Sequence, residues 1–275
     1  MTTYATDGLS PMQKTLLITL KGRAVDAQLR RPLLGDDLAA ETLGLLDASA
    51  RQMKLPLGVR ESVAIRSAML DRAVEDFIQA HPDAVVVEIG SGLETRIFRV
   101  DPPPTVDWYD VDLPEVVELR ETVLPYRENS HPIGRSLLDP LWTARVPRGR
   151  PTIIVADGVL GFLSEDDNRQ VLEQLTDHFT AGELVFNAYT PFVARMNGRF
   201  TQVVGMPKNF AGFGLSEPED LVVMNPKLRF IDEKFGDAAP ERDLLNPAYR
   251  LLGRWFAAWP AQARRGVWIV RYRFG

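Results

Sequence analysis

Two short stretches place glycine and carboxylate where a nucleoside-bearing ligand needs them. Gly90-Ser91-Gly92 closes the apolar run Ala84–Ile89, and Asp110 and Asp112 follow about twenty positions later, at the end of a second run, Val106–Val111. Glycine lets the backbone approach a ligand closely. A carboxylate at the second strand's end can grip a ribose diol by two hydrogen bonds. Strand alternation points Asp110 and Asp112 to one face. Each feature has a plain alternative, a structural turn for the glycines and a solvated loop for the acids; together they point to an adenosine-type cofactor. A dinucleotide site wants a third glycine where Thr95 stands, and Glu94 sets a negative charge where a pyrophosphate would meet the helix start. A cofactor without phosphates, such as S-adenosylmethionine, fits better. Its ammonium and sulfonium groups welcome acids such as Glu88 and Asp157, and its carboxylate wants a cation. The glycine turn and distal acid alone would also suit an NAD(P)-dependent oxidoreductase.

These groups need elements to hold them. The first eighty residues read as helices: Thr15–Leu29, a second capped by Asp36-Asp37, and a third over Glu61–Ala80 that buries Ile65, Met69, Ala73, Val74 and Phe77. From residue 84 the period changes to short β-branched runs alternating with helical stretches. The strands are expected at 84–89, 106–111, 133–137, 152–156, 183–188, 230–235 and 268–274. Ser164 and Asp167 form a capping-box pattern before a helix reaching Phe179, with Gly182 as its expected C-terminal cap. Strands buried on both faces and joined by helices predict an α/β fold with a parallel, doubly wound sheet. The last run has no following helix and should add an antiparallel strand. In such a sheet, ligands bind outside the carboxyl ends of the strands. Gly90–Gly92, Asp110–Leu113, Asp157-Gly158 and Tyr189 should therefore converge on one crevice. Arg66 shares a helical stripe with Leu70, Ala73 and Phe77. A charge on that face needs a partner: a cofactor carboxylate, Glu88 or Asp71.

Composition narrows the classes. The 275 residues are 45% apolar and 25% charged, a globular balance, and the net charge of −5 argues against a nucleic-acid footprint. With no cysteine there is no thiolate metal site and no cysteine nucleophile, and no metal is expected. No apolar run approaches a membrane span. The opening MTTYATDGLSPMQK lacks a secretion signal, so a cytoplasmic protein is expected. His81, His131 and His178 each precede a strand and should lie at the amino ends, away from the crevice. Without a histidine base, an acceptor carboxylate, already ionised at neutral pH, is favoured over an alcohol. Tyr189, Asp157 or a loop acid remain available as bases for an acidic phenol.

The segments VVEIGSGLETR, WYDVDLPEV, RSLLDPLW and VADGVLGFLSEDD, in that order, resemble the leucine carboxyl methyltransferase family, and within it the bacterial O-methyltransferases of polyketide pathways. The likeness runs from about Leu17 to the end. It implies a class I methyltransferase fold, Rossmann-like, with seven strands, an antiparallel last strand and extra helices over the site. It implies S-adenosylmethionine as cofactor and S-adenosylhomocysteine as product. By position, Gly90 and Gly92 resemble the turn that meets the methionine part, and Asp112, with Leu113, the ribose contact. Ser136 and Leu137 resemble the segment that borders adenine, and Asp157-Gly158 the acid near the amino end, where the family has glutamate. Arg66 resembles the arginine that pairs with the cofactor carboxylate, and Lys21 a second basic contact.

The acceptor pocket is expected under a lid spanning about 190–222, rich in Phe, Met and Gly. Tyr189, Arg195, Met196, Phe200 and Phe213 are its candidate residues, with Arg195 or Arg199 to hold a substrate carboxylate. Tyr189 and Arg195 are the expected catalytic pair. The expected organisation is a helical cap over 1–80 packed on a core over 81–275, as one domain. The function expected is methyl transfer to an oxygen of a small secondary metabolite, by a monomer or homodimer with no membrane or nucleic-acid partner. A cofactor-binding regulatory subunit without turnover is the other alternative.

Overall fold

The computed structural model describes residues 3–55, 58–207, 212–240 and 259–275. Seven strands form one sheet: β1 (Val85–Ile89), β2 (Asp107–Asp112), β3 (Ser130–Gly134), β4 (Thr152–Ala156), β5 (Gly182–Ala188), β6 (Arg229–Phe235) and β7 (Trp268–Phe274). Their order is β3-β2-β1-β4-β5-β7-β6. β1 to β5 run parallel, and β7 is antiparallel to both β5 and β6. The chain reverses its direction of growth between β1 and β4, so their carboxyl ends frame the crevice where ligands of such sheets bind.

Alternation along each strand decides what lies on each face. Val85, Val87 and Ile89 join Val111, Ile154 and Phe186 beneath Val171, Leu172 and Leu175 of α7 (Glu165–His178). Val86 joins Trp108, Ile153 and Val185 on the opposite face, covered by Met69, Leu70, Val74 and Phe77 of α4 (Val59–Ala80). Glu88 shares the parity of Val86, so it points toward α4, where its charge must be met.

The short α5 (Arg96–Val100) follows the turn after β1, and the helices before α4 are α1 (Leu16–Ala27), α2 (Asp37–Leu45) and α3 (Ala48–Gln52). Asp36 caps α2 through Ala39 N, as its spacing predicts. These helices close over the turn after β1: Leu17, Leu20 and Leu43 pack with Leu93 and with Val116 of α6 (Pro114–Val123). The capping box at Ser164 is present. Two local expectations shift. The third strand runs over Ser130–Gly134 rather than 133–137, which leaves Ser136 and Leu137 just past its carboxyl end. Gly182 is no helix cap but the first residue of β5, where a Cβ would stand 2.3 Å from Thr152 O; Phe179 ends α7.

Candidate active site

β1 ends in a turn only glycine can make. Gly90 has φ +63°, and a Cβ there would stand 2.6 Å from two atoms of the Val159 side chain. Two residues on, Gly92 N donates to Asp112 Oδ2 at 2.7 Å, and Leu113 N donates to Asp112 Oδ1 at 2.7 Å. The carboxylate at the end of β2 is thus aimed by two backbone donors. Burial nevertheless raises its pKa, outweighing those bonds. Asp110, two residues earlier, is fully buried and pairs with Arg120 Nη2 at 3.0 Å, so it supports the strand and does not line the cavity.

Of the residues expected to hold the cofactor, all but one meet. A single cavity of about 880 Å³ is walled by Gly90, Gly92, Asp112 and Leu113 on one side. Ser136 and Leu137 lie beyond β3, Asp157 and Gly158 beyond β4, and Glu88, Arg66 and Tyr189 complete that end. Lys21 is the exception: its Nζ donates to Arg51 O at 2.6 Å, tying α1 to α3 outside the cavity wall. Of the two basic residues expected there, only Arg66 lines the cavity.

Arg66 lies between two partners. Its Nε is 2.8 Å from Asp157 Oδ1, an ion pair too bent to be a hydrogen bond, and its Nη1 donates to the Tyr189 hydroxyl at 3.2 Å. Burial opposes its charge, but Asp157, together with Tyr189 and Glu94, outweighs this and holds the guanidinium above its ordinary pKa. Glu88 and Asp71, the other expected partners, are both taken by Arg96, at 2.6 Å and 2.9 Å. Burial pushes the Glu88 carboxyl well above the usual range despite Arg96. Its Oε2 has no hydrogen-bond partner, nor does the buried Ser91 Oγ beside it. Both residues line the cavity, as donor and acceptor groups awaiting a polar ligand do.

The sequence reading missed the ionic network behind this wall. Arg23 of α1 donates to Leu93 O at 2.6 Å, to Glu94 at 2.7 Å and to Asp36 at 2.9 Å. Arg99 reaches Asp71, Asp36 and Glu94. Burial alone would raise the Glu94 pKa, but Arg23, Arg99 and Arg96 hold it well below the usual range. The negative charge expected to repel a pyrophosphate is therefore neutralised inside the protein. Arg23 sits one position past a glycine in a helix that also carries Lys21 and Asp26, and only the folded pairing gives it a role.

Tyr189 is held by its surroundings. Gly214 passes so close that a Cβ would be 2.9 Å from Tyr189 O, and Leu215 N donates to that oxygen at 2.8 Å. Of the lid candidates, Met196 on α8 (Pro191–Phe200) lines the cavity, and Phe213 packs against the core beside it. Arg195 is exposed on the outer side of α8 and does not line the cavity, because only one side of that helix faces inward. The side chains of Arg199 and Phe200 lie outside the described residues. His131 pairs with Asp107 and His178 with Val146 O; neither they nor His81 line the cavity. Among the described residues, no cluster of acids and histidines suits a metal ion, and no helix is long and apolar enough to cross a membrane.

A parallel sheet with a reversed last strand, a glycine turn after β1 and an aimed carboxylate after β2 define a class I S-adenosylmethionine-dependent methyltransferase. The crystal structure of magnesium protoporphyrin IX methyltransferase from Synechocystis PCC 6803 with bound S-adenosylhomocysteine shares this fold. Its TM-score is 0.51 at 9% identity, covering 82% of this chain and 93% of that one. A DUF574 family protein from Streptomyces avermitilis also shares it, with TM-score 0.56 and 15% identity over 93% and 97% of the two chains. By sequence, the tetracenomycin polyketide synthesis O-methyltransferase TcmP of Streptomyces glaucescens is 34% identical over 97% of this chain and 98% of its own length. The S-adenosylmethionine-dependent methyltransferase dpfgK of Gibberella zeae is 28% identical over 66% of this chain and 67% of its own. The leucine carboxyl methyltransferase family model matches residues 17–176. The chain belongs to the leucine carboxyl methyltransferase family, and it is an S-adenosylmethionine-dependent O-methyltransferase.

Proposed function

We propose that this enzyme methylates an oxygen of a small secondary metabolite of polyketide type, a carboxylate or an acidic hydroxyl. The likeness to a tetracenomycin-pathway enzyme over nearly the whole chain supports the metabolite class. The observation that carries the choice of oxygen is that no histidine lines the cavity, while Tyr189 and Arg66 do. Gly90, Gly92, Asp112, Ser136, Leu137, Asp157 and Arg66 are assigned to the cofactor, and its acids Glu88 and Asp157 to the positive end of that ligand. When bound, S-adenosylmethionine supplies an electrophilic methyl, whose C–S bond breaks to a thioether as the acceptor oxygen forms the new C–O bond.

The residues here do the positioning. Asp112 fixes the ribose, and Arg66 the carboxylate. Tyr189, locked by Gly214 and Arg66, presents its hydroxyl where an acceptor oxygen must be oriented. Orientation of this kind can lower a barrier by ~7–11 kcal/mol, enough to carry a reaction whose nucleophile is already ionised. The helices of 1–80 serve as a cap and 190–222 as a lid that excludes water. The protein works in the cytoplasm, as a monomer or homodimer.

Calorimetric titration with S-adenosylhomocysteine, run beside NADH and repeated on Asp112→Ala, tests the cofactor assignment. Micromolar binding of the thioether alone, weakened about tenfold by the substitution, is expected. Binding of NADH in its place would overturn it. Turnover with a panel of aromatic acids and phenols then separates an enzyme from a cofactor-binding regulatory subunit, and ester products from ethers.

A further inference from the structure

The cavity does not end at the cofactor wall. It continues past Tyr189 into a chamber lined by Ile18, Val59, Phe162, Val193 and Met196. Its mouth is framed by Phe192, near the start of α8, and Arg265, in the turn before β7. Phe192 is a large apolar side chain left 58% exposed. The Arg265 guanidinium carbon stands 5.3 Å from the centre of its ring. Both residues line the cavity.

Two adjacent arginines are used in opposite ways here. Arg264 is spent on the fold: it pairs with Glu233 through two nitrogens, each at 3.0 Å, and donates to Ser216 O. The Arg265 side chain, among the described residues, makes no ion pair or hydrogen bond, and it rests on the Phe192 ring. A guanidinium over an aromatic face uses its π surface and leaves its in-plane N–H donors free. Those donors form a planar fork suited to a carboxylate or phenolate. The carboxylates that also line the cavity are otherwise engaged. Glu61 is bonded by Arg60, Asp157 by Arg66 and Arg96, and Asp112 by two amides. Glu88 and Glu94 are paired with arginines behind the turn, Asp237 has a partner of its own, and Asp167 closes the capping box.

We propose that Phe192 and Arg265 form the outer acceptor subsite, which takes the acidic end of a planar aromatic acceptor. Its rings stack on Phe192 and fill the apolar chamber, while Arg265 grips a carboxylate or phenolate at the mouth. The oxygen to be methylated then lies at the other end of the molecule, beside Tyr189. This inference rests on the methyltransferase reading of the cavity and adds to it an acceptor with two polar ends.

Two fluorescent probes of one shape test it: 8-anilinonaphthalene-1-sulfonate, which is anionic, and N-phenyl-1-naphthylamine, its neutral counterpart. Both are titrated into the protein saturated with S-adenosylhomocysteine, so that only the acceptor end is open. Arg265→Gln should weaken the anionic probe about three- to fivefold, the range of a partly exposed charge pair, and leave the neutral probe within about twofold. Phe192→Ala should weaken both. Arg265 is exposed, so the variant should fold, and circular dichroism melts confirm that it does. Equal loss of both probes, an unchanged anionic probe, or no saturable anionic binding to the wild type overturns the subsite. Calorimetry of S-adenosylhomocysteine on the same variants keeps the two readings apart. Failure of that ligand to bind overturns the methyltransferase assignment, and the probe pair on the unsaturated protein still decides the subsite.

Discussion

The two ends of one cavity are built by different rules. At the cofactor end, Arg23, Arg96, Glu88 and Glu94 are almost inaccessible to solvent, and each charge has an opposite partner within 3 Å. At the mouth, Phe192 and Arg265 are exposed, and apolar side chains line the space between. Buried ion pairs add little net stability, because desolvation offsets the attraction, but they hold a geometry that is costly to leave. Apolar and methionine surfaces hold no single geometry and adapt to shape. The difference teaches where this fold needs fixed positions. On the proposed assignment, a cofactor of constant shape meets fixed groups, and the acceptor meets a surface that selects by size, planarity and charge.

Breaking the buried end should cost most. Arg96→Met strands Glu88 without its cation and leaves Asp71 to Arg99 alone, and chemical unfolding should show a loss of about 3–5 kcal/mol. A loss below about 1 kcal/mol would mean that these charges are effectively solvated and that the contrast between the two ends is only apparent. A gentler change sharpens the same contrast through pH. The folded protein holds the Glu94 pKa below its ordinary value of 4.5. The stability it contributes is therefore full above that value and lost as pH falls through the folded pKa. Glu94→Gln should cost about 2 kcal/mol at neutral pH and flatten the acid side of a melting-temperature profile; a parallel-shifted profile would assign the acid sensitivity elsewhere. The smallest effect is expected at the mouth. Phe192→Ala should change stability by less than about 0.5 kcal/mol and leave S-adenosylhomocysteine binding intact. A larger loss in thermal melts would show that the mouth is structural.

The sequence made the sheet and much of the cofactor wall legible for specific reasons. Ala84–Ile89 and Thr152–Ala156 are continuous apolar runs because both faces of their strands are covered. Gly90, Asp112 and Asp157 stood out because glycine and carboxylates interrupt such runs at their ends. Lys21 misled because basic residues on a helix look alike until the helix is oriented, and α1 turns Lys21 toward α3 and Arg23 toward the turn. Arg195 misled for the same reason on α8. Arg265 carried no signal at all, since nothing in the sequence tells it from the adjacent Arg264, which the fold engages.

The chain by itself determined the order and type of its elements, the glycine turn, the acid that follows it and the absence of a histidine from the crevice. Each of these depends on local spacing or on the fixed rule that ligands sit at the carboxyl ends of parallel strands. Only the tertiary structure decided which charge meets which. Arg66 pairs with Asp157 rather than Glu88, Glu94 faces inward, and Arg23 braces the turn from seventy residues away. Pairing between distant charges depends on distances of a few ångström across packed elements, and no periodicity along a chain encodes those distances.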